Sequence, residues 1–174
     1  MELRENTISI LVNNKPDVMA RIAGTFSGRG FNIETIAVNV TENPKISKII
    51  LTIWGNQDTI IKIEKQLNRM VDVLQVDDLT GEDALRREMA LIRVKIAEEL
   101  EKQLRQAIDT YKWKIVSSEE DYLILEVTGG KEEVAQALSI LKPLGMDDFT
   151  GTGTVALARR KSNNNLKGVN YGKD

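Results

Sequence analysis

The 174 residues predict an α+β chain of two similar halves, each ordered strand, helix, strand, strand, helix, strand. Three features carry that expectation: apolar residues alternate with period two in short runs, stripes of period near 3.6 separate the runs, and the whole order is met twice. The first run sets Ile8, Ile10 and Val12 against Thr7, Ser9 and Leu11, as in a strand with one well-buried face. It stops at the polar turn Asn13-Asn14-Lys15-Pro16-Asp17. From Val18 the period becomes helical, with Val18, Ile22, Ala23 and Phe26 on one side and Gly28 and Gly30 marking the end. Ile36, Val38 and Val40 alternate again, Glu42 to Lys45 makes a hairpin turn, and Ile49, Leu51 and Ile53 lie on the return strand. Ile50 and Trp54 are apolar on the opposite side of that strand. Helices hide only one face of a small open sheet, so the other face needs a second cover. Ile60, Ile63, Leu67 and Met70 form the next helical stripe, opened by Asp58, and Val71 to Leu79 is expected as the fourth strand. The polar stretch Thr80-Gly81-Glu82-Asp83 ends the half.

In the second half, Ala90, Ile92, Val94 and Ile96 alternate, then Leu100, Leu104, Ile108 and Tyr111 recur at helical spacing. Trp113 to Val116 and Tyr122 to Val127 flank the acidic turn Ser118-Glu119-Glu120-Asp121 as a hairpin. Val134, Leu138 and Leu141 form a stripe stopped by Pro143 and Gly145, and Thr152 to Ala158 is expected as the closing strand. The result is two tandem ferredoxin-like βαββαβ domains, each a four-stranded antiparallel sheet with two helices on one face. They span residues 1–80 and 81–160, and a basic polar tail follows at 161–174.

Composition narrows the chemistry. The chain has no cysteine and no histidine, which removes disulfides, thiolate nucleophiles, Cys/His zinc sites and imidazole acid–base catalysis. Lys and Arg number 24 against 26 Asp and Glu, for a formal net charge of -2. Arg159, Arg160, Lys161, Lys167 and Lys173 stand near the end against Asp174 alone, so the body is acidic. An acidic body argues against binding to nucleic acid. No apolar run approaches the roughly 20 residues that span a bilayer, and the first residues do not form a basic region followed by an apolar core. A cytoplasmic location without membrane contact is expected.

Candidate polar sites are few. Asp77 with Asp78 and Asp147 with Asp148 are adjacent on strands, so each pair splits between two faces and reads as a solvated strand end. Thr150 to Thr154 is glycine-rich but has neither the phosphate-loop lysine nor a following helix. Trp54 and Met70 are expected to pack, and Arg29, Arg69, Arg86 and Arg87 to be surface charges. The junction Asn14 to Asp17 is the better candidate. It joins a strand end to a helix start, where free amides and the positive end of the peptide dipoles can receive a small carboxylate; a plain capped turn accounts for the same residues. Asn32, at a strand start, offers two directed hydrogen bonds to a ligand or a neighbouring subunit.

The stretch Ile8 to Glu34 closely resembles the start of the regulatory small subunit of acetolactate synthase, also called acetohydroxyacid synthase. Ile63 to Val76, Arg87 to Val94, Leu141 to Gly145 and Thr152 to Arg159 extend the resemblance over nearly the whole chain. It implies an amino-terminal ACT domain followed by a second domain of related fold. It also implies a homodimer formed through the ACT domains, with a branched-chain amino acid, usually valine, bound at the interface. Members activate a large catalytic subunit that uses thiamine diphosphate and Mg, often with FAD, and makes acetolactate or acetohydroxybutyrate. No cofactor is implied for the small subunit itself.

Carried over singly, Asn14 matches the effector-loop asparagine, and Asn32 with Ile33 matches the pair that approaches from across the dimer. Lys15, Pro16, Val18 and Met19 complete the loop and the start of the helix. Asp17 departs from the usual glycine, and its carboxylate is expected to cap Met19 or Ala20 and weaken or alter valine inhibition. Gly151 stands where arginine is common. The uncovered side of the first sheet is expected to meet a second copy and build a shared recess at Asn14 and Asn32. The alternatives are a free-standing ACT-type amino-acid sensor or adaptor for another protein, and an independent enzyme using aspartate or lysine.

Overall fold

The computed structural model describes residues 3–27, 32–81 and 83–160. The helix stop expected at Gly28 and Gly30, with Arg29, and the basic tail at 161–174 lie outside the described residues. The elements are β1 (Arg4–Asn13), α1 (Val18–Ser27), β2 (Ile33–Val40), β3 (Ile46–Gly55), α2 (Gln57–Leu67), β4 (Val73–Asp78) and β5 (Ala84–Lys95). They continue as α3 (Glu98–Tyr111), β6 (Lys114–Ser118), β7 (Tyr122–Gly129), α4 (Lys131–Leu141), β8 (Met146–Gly151) and β9 (Val155–Ala158). Two compact units result, one from Met1–Leu85 with Ala156–Asp174 and the other from Arg86–Val155.

In the first unit the antiparallel strands lie in the order β2-β3-β1-β4. Register sets Ile8 opposite Leu51 and Ile10 opposite Ile49, so these side chains share a face. That face carries the core with Val18, Ile22 and Phe26 from α1 and Ile60, Ile63 and Leu67 from α2, all buried. Each such side chain contributes about 1.5–3 kcal/mol by leaving water. Met70 packs against the same core. Asn56, not Asp58, caps α2: its Oδ1 accepts the Thr59 amide at 2.9 Å, while Asp58 lies in the first turn. Asparagine competes well for that role because its short side chain reaches back to the free amides.

The other face of this sheet is covered differently from the expectation. Ile50, Leu79 and Ala84 form a small buried cluster there, with Ala156 and Ala158 packed against it. Thr7, Ser9 and Thr52 on the same face are buried too. Leu79, Ala84, Ala156 and Ala158 of the chain itself therefore supply a cover for which a second copy was expected. Trp54, expected to pack, is 51% exposed.

Apolar surface remains instead on the edge strand. Ile36, Val38 and Val40 stand opposite Leu51, Ile49 and Ser47 and so point to the helix side, yet they are 40%, 44% and 56% exposed. Among the described residues, β3 is the one strand that pairs with β2.

The strands of the second sheet lie in the order β6-β7-β5-β8, with β9 also pairing β5 as a fifth strand. Ala90, Ile92 and Val94 meet Val127, Leu125 and Leu123 across the ladder, and Leu104, Ile108, Val134, Ala137 and Leu141 from the helices complete the core. The fourth strand is Met146–Gly151, not Thr152–Ala158. Two adjacent aspartates hid its pattern, and Arg93 makes them tolerable: its Nε meets Asp147 at 2.9 Å and its Nη2 meets Asp148 at 3.6 Å. Asp147 and Asp148 are exposed at the start of this strand, as expected of a solvated strand end, and are in addition ion-paired to Arg93. Gly145 enters this strand at φ 102°, where an added Cβ would lie 2.7 Å from the Lys95 carbonyl, so only glycine fits.

Candidate functional site

The loop that follows β1 is tied down from both sides. The Asn14 amide donates to the Lys45 carbonyl at 2.8 Å, and Asn14 Nδ2 donates to the Pro44 carbonyl at 3.0 Å. Both acceptors lie in the β2–β3 hairpin. The Asn13 amide donates to the Asp72 carbonyl at 2.9 Å, joining the loop to the turn between α2 and β4. Asn14, Lys15, Pro16 and Asp17 are exposed, Val18 is buried, and Met19 and Ile33 pack against the core.

Asp72 is the hub beneath this loop. Its side chain is 6% exposed and is met by Lys15 Nζ at 2.7 Å, Asn13 Nδ2 at 3.1 Å and the Arg21 guanidinium. Lys15, Arg21 and Asn13, in that order, hold its carboxyl well below the usual aspartate range. The same hydrogen bond to Asp72 raises Arg21. Arg21 Nε also lies 3.2 Å from Asp17 Oδ2, one helical turn back. Neither Asp72 nor Arg21 was singled out from the sequence, although a charge between Val71 and Val73 was a visible break in an apolar run.

Asp17 does not make the expected cap. Its carbonyl accepts the Arg21 amide at 3.2 Å, which marks it as the residue preceding the helix, but its carboxylate turns to Arg21. The amides of Met19 and Ala20 have no hydrogen-bond partner among the described residues. The helix start therefore presents two free donors at the positive end of the peptide dipoles, an arrangement suited to a small carboxylate.

Asn32 is exposed at the beginning of β2. Asn14 lies beside the other end of that strand, near the Val40–Ser47 pair, whereas Ile33 pairs with Ile53. Eight residues of strand at about 3.3 Å each put the two asparagines roughly 25 Å apart in one chain. One chain alone does not bring them together.

The remaining candidates have structural roles. Asp77 accepts from Gln75 Nε2, and Asp78 accepts the Thr80 amide. In the glycine-rich stretch between β8 and β9, Thr152 Oγ1 accepts the Met89 amide at 3.1 Å and Thr154 Oγ1 donates to Glu88 at 2.7 Å, tying that connection to β5. A cleft of about 330 Å³ in the second unit is lined by Tyr111, Trp113, Lys114, Glu126 and Glu133 among others; none of the expected effector residues borders it.

A family model described as the AHAS small subunit-like ACT domain matches residues 8–75, and one described as the small subunit of acetolactate synthase matches residues 87–160. The chain is 36% identical over 160 residues to the probable acetolactate synthase small subunit of Methanothermobacter thermautotrophicus, covering 91% of this chain and 95% of that one. It is 34% identical over 155 residues to the corresponding protein of Archaeoglobus fulgidus, covering 89% and 97%. The crystal structure of the acetolactate synthase small subunit from Thermotoga maritima superposes with a TM-score of 0.83 at 34% identity, over 91% of this chain and 99% of that chain.

Proposed function

This chain belongs to the acetolactate synthase small-subunit family, and from that membership we propose that two copies bind a branched-chain amino acid between their ACT domains and so tune a catalytic large subunit. It is a non-catalytic regulatory subunit, and the carbon–carbon bond formation belongs to the large subunit. We assign thiamine diphosphate, Mg and FAD to that partner.

The observation that carries the reading is the edge strand β2. Among the described residues no strand pairs with its outer side, and Ile36, Val38 and Val40 are left in water on the face where the neighbouring strands carry core. A two-fold axis at this edge would run one β2 antiparallel to its twin and turn the apolar residues of both toward the helix side. The same operation carries the Asn32 end of one strand to the Asn14 end of the other. The roughly 25 Å that separates the two asparagines within a chain then becomes the reason each site needs both copies.

In such a recess the effector carboxylate sits on the Met19 and Ala20 amides. Asn14 has committed Nδ2 to Pro44, which leaves Oδ1 to accept from the effector ammonium. Asn32 with Ile33 of the second copy closes the other side, while Lys15, Pro16 and Val18 shape the loop. Valine is the effector we expect, followed by leucine and isoleucine. Binding that favours a less active arrangement of the large subunit inhibits it, with a coupling of about 1–3 kcal/mol.

The test is pyruvate condensation by the large subunit with and without this chain, each with valine, leucine or isoleucine added. We expect the chain to raise turnover and one amino acid to lower it again. Turnover unchanged by the chain would overturn the regulatory reading, and activation insensitive to all three amino acids would overturn the effector assignment.

A further inference from the structure

Asp17 stands where an aspartate ordinarily caps a helix. Its carbonyl receives the Arg21 amide, and the Met19 and Ala20 amides are the two donors that a capping carboxylate at this position takes. Yet the carboxylate lies against Arg21 Nε at 3.2 Å and the donors are left open. An exposed pair four residues apart is ordinarily weak, because two long side chains must be ordered to form it. Here one of them is already ordered: the Arg21 guanidinium is anchored to Asp72, which is buried and also held by Lys15 and Asn13. Arg21 thus offers Asp17 a fixed cation one turn along the helix.

We propose that Arg21, anchored by Asp72, is a positioning residue that holds the Asp17 carboxylate off the first-turn amides of α1 and keeps them open to the carboxylate of an amino-acid effector. The inference rests on the reading that this loop binds an amino acid. It also explains how a chain with an acid at this position keeps an anion-accepting helix start. Without Arg21, the Asp17 carboxylate turns back to Met19 and Ala20 and occupies the place of the ligand.

The experiment is a double-mutant cycle on the full-length chain, with valine, leucine and isoleucine titrated by calorimetry into wild type, Arg21→Gln, Asp17→Gly and the double variant. Arg21→Gln should weaken binding about tenfold, the size of a helix-cap interaction in competition. The double variant should return to within about twofold of Asp17→Gly, because no carboxylate remains to intrude. A general structural role for Arg21 would leave the double variant as weak as Arg21→Gln, and that result overturns the proposal. So does an Arg21→Gln affinity equal to wild type. If neither wild type nor Asp17→Gly binds any of the three amino acids, the effector reading itself fails and takes the proposal with it. A measurement on wild type covers the case in which Arg21→Gln does not fold. The Met19 and Ala20 amide resonances should shift on addition of the amino acid that binds, and binding that leaves both unmoved overturns the assignment of those amides.

Discussion

Asp72 joins Asn13 of β1, Lys15 of the following loop and Arg21 of α1 through one buried carboxylate, so its ionisation is coupled to folding. Lys15, Arg21 and Asn13 hold its pKa below the ordinary value near 4 that it has in the unfolded chain. A depressed acid adds stability that is present in full above that ordinary value and is lost as the pH falls through the folded one. Asp72→Asn should therefore lower the urea midpoint at pH 7, and the gap to wild type should narrow from about pH 4 downward. Asp147, held down by Arg93, titrates in the same acid range but is present in both proteins and cancels in the difference. A gap of equal size at pH 7 and pH 3 would assign the effect to packing and not to charge. The limits of sequence reading are plain at these positions. Asn14 and Asp17 could be picked out because they lie at a strand-to-helix junction, where free amides are guaranteed by geometry. What Asp17 does with its carboxylate depends on Arg21, and what Arg21 does depends on a residue 51 positions away.

Among the elements, β2 shows how a correct local pattern leaves a global question open. The alternation of Ile36, Val38 and Val40 marks a strand, but period two does not say whether its apolar side lies under a helix or beyond the last one. That is decided by sheet order, which follows from the non-local pairing of β1 with β3 and β4. Strand β8 shows the converse: Asp147 and Asp148 broke its pattern, and only their partner Arg93 on β5 explains why a strand runs there. The exposed edge makes a direct prediction. A lysine at position 38 sets like charges near a two-fold axis and blunts edge pairing, the device by which free edges are kept apart in natural sheets. Val38→Lys should remain folded, because the side chain is already 44% exposed, and should convert the dimer to monomer in sedimentation velocity. On the proposed two-copy recess, it should also lose any response to a branched-chain amino acid. A Val38→Lys protein that stayed dimeric would place the interface elsewhere.

Across the whole molecule, the two halves follow one order of elements, but the first unit does not end where its repeat ends. A boundary at residue 80 is what the polar stretch Thr80 to Asp83 suggests, and residues 1–80 do contain the complete core between the first sheet and its helices. The opposite face depends on more. Ile50 is 5% exposed and Leu79 6%, beneath Ala84, Ala156 and Ala158. Those alanines come from the strand that leaves the first half and from the last strand of the described chain, which no local pattern could have assigned to the first sheet. A fragment of residues 1–80 should therefore fold, because its larger core is intact, yet expose both side chains to water. Each represents at most about 1.5–3 kcal/mol of burial, so the fragment should be less stable than the same unit in the full chain by up to roughly 3–6 kcal/mol. Urea unfolding followed at Trp54, in a full chain carrying Trp113→Phe so that the emission comes from the first unit alone, reads that unit directly, and dye binding reports the uncovered face. A fragment whose Trp54 transition coincided with that of the full chain, without dye binding, would show that the alanines merely rest on the sheet and contribute no stability to it.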